Sequence, residues 1–165
     1  MRMTREEAEV FLIEEARLLD ENQFQQWLEL FTDDCLYWLP TVDGDPDFEP
    51  SLIYDDHARL EERVYRITRT RAHAQDPVSR TLHNIANVAV ADADEGQVRV
   101  HCNLMLIELR PGDLSQLGLG QQRMLAGRAE YLLTRTGDGN GWRIRQKKVN
   151  LINRDLPLYN ITFIV

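Results

Sequence analysis

Apolar residues recur at helical spacing from the start of the chain. Ala8, Phe11, Leu12, Ala16 and Leu19 share one face of a helix predicted to run to about Asp20. Thr4 followed by Glu7 is a capping-box pair and marks its start. Phe24, Trp27, Leu28 and Phe31 form a second, shorter stripe, which Asn22 with Gln25 would cap and the "TDD" after it would end. "CLYWLP" then predicts a short strand stopped by Pro40, and "TVDGDPDFEP" an acidic loop rich in turn residues. A third helix is expected from Asp56, with Leu60, Val64 and Ile67 on its apolar stripe. Arg59, Arg63 and Arg66 lie beside that stripe at spacings of four and three.

After Pro77 the period changes from helical to two. Strands are expected over 79–91, 97–109, 122–136, 142–153 and 157–165, separated by the turn-rich stretches "DADEG", "RPGDLSQLGLG" and "GDGNG". In the second of these strands Val98, Val100, Cys102, Leu104 and Leu106 make one face, while Arg99, His101 and Asn103 begin the other. In the third, Leu125, Gly127, Ala129, Tyr131 and Leu133 alternate with Arg128 and Glu130. In the last, Tyr159, Ile161, Phe163 and Val165 share a face, which would need covering by the fold itself or by a partner. Helices first and a long antiparallel meander afterwards predict an α+β fold. Its strongly curved sheet would wrap the N-terminal helices into a cone, in a single domain spanning 1–165.

Composition narrows the function classes. The chain has 165 residues and a net charge of −8, which argues against non-specific nucleic-acid binding. No apolar run approaches membrane-spanning length, and the beginning "MRMTREEAEVF" lacks the apolar stretch of a signal peptide, so a cytoplasmic protein is expected. Cys35 and Cys102 stand alone and read as buried free thiols. Of the 19 cations only Lys147 and Lys148 are lysines, and six arginines fall between Arg59 and Arg80. Arginine favours carboxylate partners and interfaces, although codon usage gives an equally plain account of the excess.

Candidate chemistry is sparse. His57, His73, His83 and His101 show no zincin spacing, neither cysteine has a second ligand nearby, and there is no phosphate loop or nucleophile elbow. What remains is acid–base chemistry inside the cone. Asp34, at a helix-to-strand junction, together with His83 or His101, on neighbouring strands, would suit an isomerisation or dehydration if burial tuned them. The plainer reading makes Asp33 and Asp34 helix-stop residues and His83 a hydrogen-bonding group of the sheet.

Three stretches carry a resemblance: "EEARLLDENQFQQWLELFTDDCLYWLP", "HARLEERVYRITRTRAHAQDPVSRTLHNIANVAV" and "GWRIRQKKVNLIN". Together and in this order the chain resembles the small (β) subunit of Rieske-type aromatic-ring-hydroxylating dioxygenases, over about residues 6–165. The resemblance implies a cone of the nuclear-transport-factor, cystatin-like type and a mainly structural role. It implies an assembly of three α and three β subunits, with β–β contacts in a trimer, acting in aromatic-compound catabolism by cis-dihydroxylation. It places the Rieske [2Fe-2S] cluster and the mononuclear non-haem iron on the α subunit, with no cofactor, metal or catalytic residue on this chain. The residue census agrees, because the paired Cys and His motifs of a Rieske centre are absent from this chain. "KKVNLIN" looks closer to subunits serving aromatic carboxylates of the benzoate kind. Arg59, Arg63, Arg66, Tyr159 and Phe163 are the expected partner-facing residues. Two rivals use the same fold: a free-standing dehydratase or isomerase built on Asp34, His83 and His101, and a small-ligand-binding cone.

Overall fold

The computed structural model describes residues 3–45, 47–71, 75–93, 96–111, 120–137, 139, 141–159 and 161–165. His73 and most of the "RPGDLSQLGLG" stretch lie outside the described residues. The elements are α1 (Arg5–Asp20), α2 (Phe24–Leu28), β1 (Phe31–Pro40), β2 (Ser51–Asp55), α3 (His57–Arg69), β3 (Arg80–Asp92), β4 (Gln97–Leu109), β5 (Gln122–Arg135) and β6 (Trp142–Leu151). The strands form one open sheet in the order β2-β1-β6-β5-β4-β3. Every neighbouring pair is antiparallel except β1 with β6. The helices pack on the inner face of this curved α+β sheet, α1 against β3 and α3 against β1.

Local chemistry sets these boundaries. The Glu7 N–H donates to Thr4 Oγ1 at 3.1 Å and the Thr4 N–H to Glu7 Oε2 at 2.6 Å, the reciprocal capping box that starts α1. Asp56 caps α3 by accepting the Arg59 N–H at 2.9 Å. The alternation in β4 holds throughout, with Val98, Val100, Cys102, Leu104 and Leu106 all buried. A bulge between Ala86 and Ala89, where Asn87 takes φ 55°, breaks the β3–β4 register and bends the edge strand.

Four expectations need correction. Helix α2 ends at Leu28, its N-cap is Gln23 without a side-chain bond, and Asn22 adopts φ 57°. Phe31 and the "TDD" run belong to β1, where Phe31 pairs with Ile144 of β6. Strand β2, unforeseen, is a short edge strand that pairs Ile53 with Leu39. The expected strand over 157–165 is not formed among the described residues, which join no ladder there. Phe163, Ile164 and Val165 are all buried in succession, and the Tyr37 hydroxyl both donates to Val165 O at 2.9 Å and accepts its N–H at 3.0 Å.

Candidate functional site

The centre of the cone is polar, and it is closed by its own side chains. Glu15 continues the α1 stripe of Ala8 and Leu12, and Lys147 stands in phase with Val149 and Leu151 on β6, so both point inward. They are 2% and 1% exposed. Lys147 Nζ lies 2.7 Å from Glu15 Oε1, which also accepts Trp27 Nε1–H at 3.1 Å. Glu15 Oε2 accepts the Tyr131 hydroxyl at 2.8 Å. The ammonium faces the rings of Tyr37 and Tyr131 at 5.8 and 5.6 Å, within cation–π range. Burial raises both phenols above their ordinary range, and the Glu15 carboxylate adds to the effect at Tyr131. Each carboxylate oxygen is thus engaged by donors of this chain, an arrangement suited to fixing α1, β1, β5 and β6 together. Both are inward positions by phase, although sequence analysis assigned neither a role.

The dyad proposed for acid–base work does not assemble. Cross-strand partners share a face. His83 stands opposite the buried Leu106, while His101 stands opposite Ala89 and Glu130 on the outer face. His101 Nδ1 lies 3.6 Å from Glu130 Oε2 in a half-exposed pair. Asp34 is 65% exposed and pairs with Arg145 at 3.2 Å. His83 is held instead by Asp20, at the end of α1. Its Nδ1 sits 2.6 Å from Asp20 Oδ1, and its backbone N–H donates to Oδ2 at 2.9 Å. The Thr81 hydroxyl donates to Oδ1 at 3.0 Å.

Burial pushes the Asp20 carboxyl upward, but the hydrogen bonds from His83 and Thr81 outweigh it and hold the group below its usual value. This contact gives Nδ1 the proton and leaves Nε2 buried without a hydrogen-bond partner among the described residues. A cleft beside the pair is lined by Ile13, Ala16, Arg17 and Ile85. Asp20 and His83 also line it, the imidazole with only 2% of its surface exposed.

A second buried network fixes the chain's last segment. Glu108 accepts Ser79 Oγ at 2.6 Å and Arg110 Nη2 at 3.2 Å, and pairs with Arg123. Arg123 in turn donates to Tyr159 O at 2.5 Å and lies over the rings of Tyr159 and Phe163 at 4.9 and 5.1 Å. Phe163, expected at a partner surface, is therefore inside this chain's own core at 3% exposure, whereas Tyr159 keeps half its surface outside. Arg63 is also corrected: its guanidinium turns onto β2 and makes a two-nitrogen contact with Asp55, at 2.8 and 2.5 Å. Arg59 and Arg66 remain exposed, the first donating to Tyr54 O at 3.0 Å. The arginines of α3 thus do not act as one face.

Cys35 and Cys102 are buried free thiols, and burial pushes each up to about 12. Among the described residues no group of three His, Cys, Asp or Glu is placed to hold a metal ion. No helix among the described residues is long and apolar enough to cross a membrane.

A family model described as the ring hydroxylating beta subunit matches residues 14–157. The small oxygenase component of the p-cumate 2,3-dioxygenase system of Pseudomonas putida is 37% identical over 115 residues, covering 67% of this chain. The chain spans 64% of that relative's own length. Benzoate 1,2-dioxygenase subunit beta of Acinetobacter baylyi is 38% identical over 112 residues, covering 64% of this chain and 66% of the relative. The solved β subunit of benzoate 1,2-dioxygenase from Burkholderia mallei superposes with a TM-score of 0.74 at 30% identity, covering 99% of each chain.

Proposed function

The chain belongs to the family of ring-hydroxylating β subunits, and on that premise we propose that it is the small subunit of the terminal oxygenase of an aromatic-ring-hydroxylating dioxygenase. Its role there is structural. The observation that carries this reading is the closed interior: the place where a cone-fold enzyme would need a substrate cavity is filled by Glu15, Lys147, Tyr131 and Trp27, bonded to one another. In this reading the catalytic groups stand on a larger α subunit, which carries the Rieske [2Fe-2S] cluster and the mononuclear non-haem iron, and three α assemble with three β subunits in the cytoplasm. The reaction supported is cis-dihydroxylation of an aromatic ring. An aromatic carboxylate is the substrate class, since the two relatives above are named for p-cumate and benzoate, both carboxylates.

The test is the native mass and visible spectrum of the protein purified untagged from a host grown on an aromatic carboxylate. A large complex with a second polypeptide and red-brown absorption is the expected result. A colourless oligomer of this chain alone, with the large-subunit gene shown to be expressed, would overturn the proposal.

A further inference from the structure

The register of β3, β4 and β5 arranges the outer-face side chains in rows. Leu82 stands opposite Ile107, and Ile107 opposite Met124. The next row is Asn84, Met105 and Ala126, which Ile152 extends by donating its N–H to Ala126 O at 3.0 Å. Arg80, Leu109 and Gln122 flank these rows on one side, and Ala86, Asn103, Arg128 and Asn150 on the other. Leu82, Met105, Met124 and Ile152 are 54%, 41%, 61% and 78% exposed. Such large apolar side chains at adjoining positions form a contiguous patch, which marks a contact surface in a way that scattered exposed residues do not. Further along the same face the positions turn charged and polar, with Arg99, His101, Glu130 and Lys148.

Charge selects the occupant. In these four rows the only charged residues are Arg80 and Arg128, both exposed, and there is no carboxylate, although the whole chain carries −8. A second copy applying this same face across a two-fold axis would set arginine against arginine, which costs binding energy. The complementary partner is apolar at its centre and acidic at its rim. Methionine suits such a contact because its flexible thioether side chain conforms to the opposing surface, and Met and Arg are enriched at interfaces. Resting on the small-subunit reading above, we propose that this face docks the large oxygenase subunit, with carboxylates of that subunit opposite Arg80 and Arg128.

The test co-expresses this chain with a large oxygenase subunit of the same genome and measures their affinity. The double variant Met105→Asp/Met124→Asp is expected to bind at least about 30-fold more weakly, the range of a central hot spot, with its circular dichroism and Tm unchanged. Arg80→Glu/Arg128→Glu leaves the apolar centre intact; it is expected to weaken binding and flatten its salt dependence, and it decides the question if the aspartates disturb folding. His101→Ser, on the polar part of the same face, should bind as the wild type does. Wild-type affinity in both double variants would overturn the proposal. So would loss of contact between copies of this chain with large-subunit binding intact, which would assign the face to self-assembly. Failure of the small-subunit reading looks different, because then the unmodified chain binds no large subunit at all.

Discussion

The two faces of β4 and β5 are built from alternate residues of the same strands, yet they end in opposite states. Inward, Tyr131 meets a carboxylate and an ammonium that are almost wholly buried and bonded to each other. Outward, Met105 and Met124 are 41% and 61% exposed. Here Glu15 and Lys147 are satisfied within the chain while large apolar side chains stand exposed outside, so on the docking proposal the molecule serves its partner with its exterior. Substitutions inward should register as stability and substitutions outward as association.

The sharpest way to break that division is at the central ion pair. Lys147→Met leaves Glu15 buried without its cation and is expected to destabilise the fold by about 3–5 kcal/mol, whereas Glu15→Gln/Lys147→Met removes both charges, keeps an amide to pair with Trp27 and Tyr131, and should recover most of that loss. Urea denaturation of the single and double variants measures the difference. Equal losses in the two would show that the pair's worth lies in packing and not in its charges.

Gly127 tests how tightly the inner layer is closed. A Cβ at this position would lie 2.6 Å from Asn150 O and 3.1 Å from the Cα of Leu151, both backbone atoms that cannot step aside. Gly127→Ala should therefore force β5 from β6 and cost about 1–3 kcal/mol, as overpacking does. An unchanged Tm would mean that the β5–β6 edge is looser than the ladder implies.

At the border between the two faces, Asp20 covers the open edge of β3 by taking the His83 N–H. Asp20→Asn is expected to cost about 2 kcal/mol at neutral pH, the range for hydrogen bonds to a charged acceptor. Its pH dependence has a definite sign. The folded-state pKa of Asp20 lies below the ordinary value of 3.8, so its contribution is complete above that value and is lost as pH falls through the lower folded-state value. The wild type should lose stability in acid more steeply than the variant, and parallel acid-unfolding curves would refute the assignment.

Legibility from sequence followed the same border. The capping box of α1, the stripe of α3 and the alternation of β4 are local signals, and each element formed where its pattern stood. Strand β2 is five residues long behind an acidic loop, too short to show a period. The segment 157–165 does alternate, but alternation describes side chains and says nothing about which strand supplies hydrogen bonds; here the Tyr37 hydroxyl takes that place for Val165. Glu15 and Lys147 were in phase with apolar neighbours, and only their tertiary pairing makes a charge affordable there. The apolar patch is invisible in any one strand. It exists because register sets Leu82, Ile107 and Met124 side by side.

The smallest expected effects belong to the residues once grouped as a catalytic set. Asp34 and His101 make exposed ion pairs with Arg145 and Glu130, and pairs of this kind contribute little because water screens them and both side chains lose freedom on pairing. Asp34→Asn and His101→Ala are each expected to change stability by no more than about 0.5 kcal/mol and, in an oxygenase assembled as proposed, to leave turnover unchanged. His83, on the other face, cannot join them without turning through the sheet. A loss of turnover in Asp34→Asn or His101→Ala with the complex still assembled would place chemistry on the outer face and end the division between a closed interior and a docking exterior.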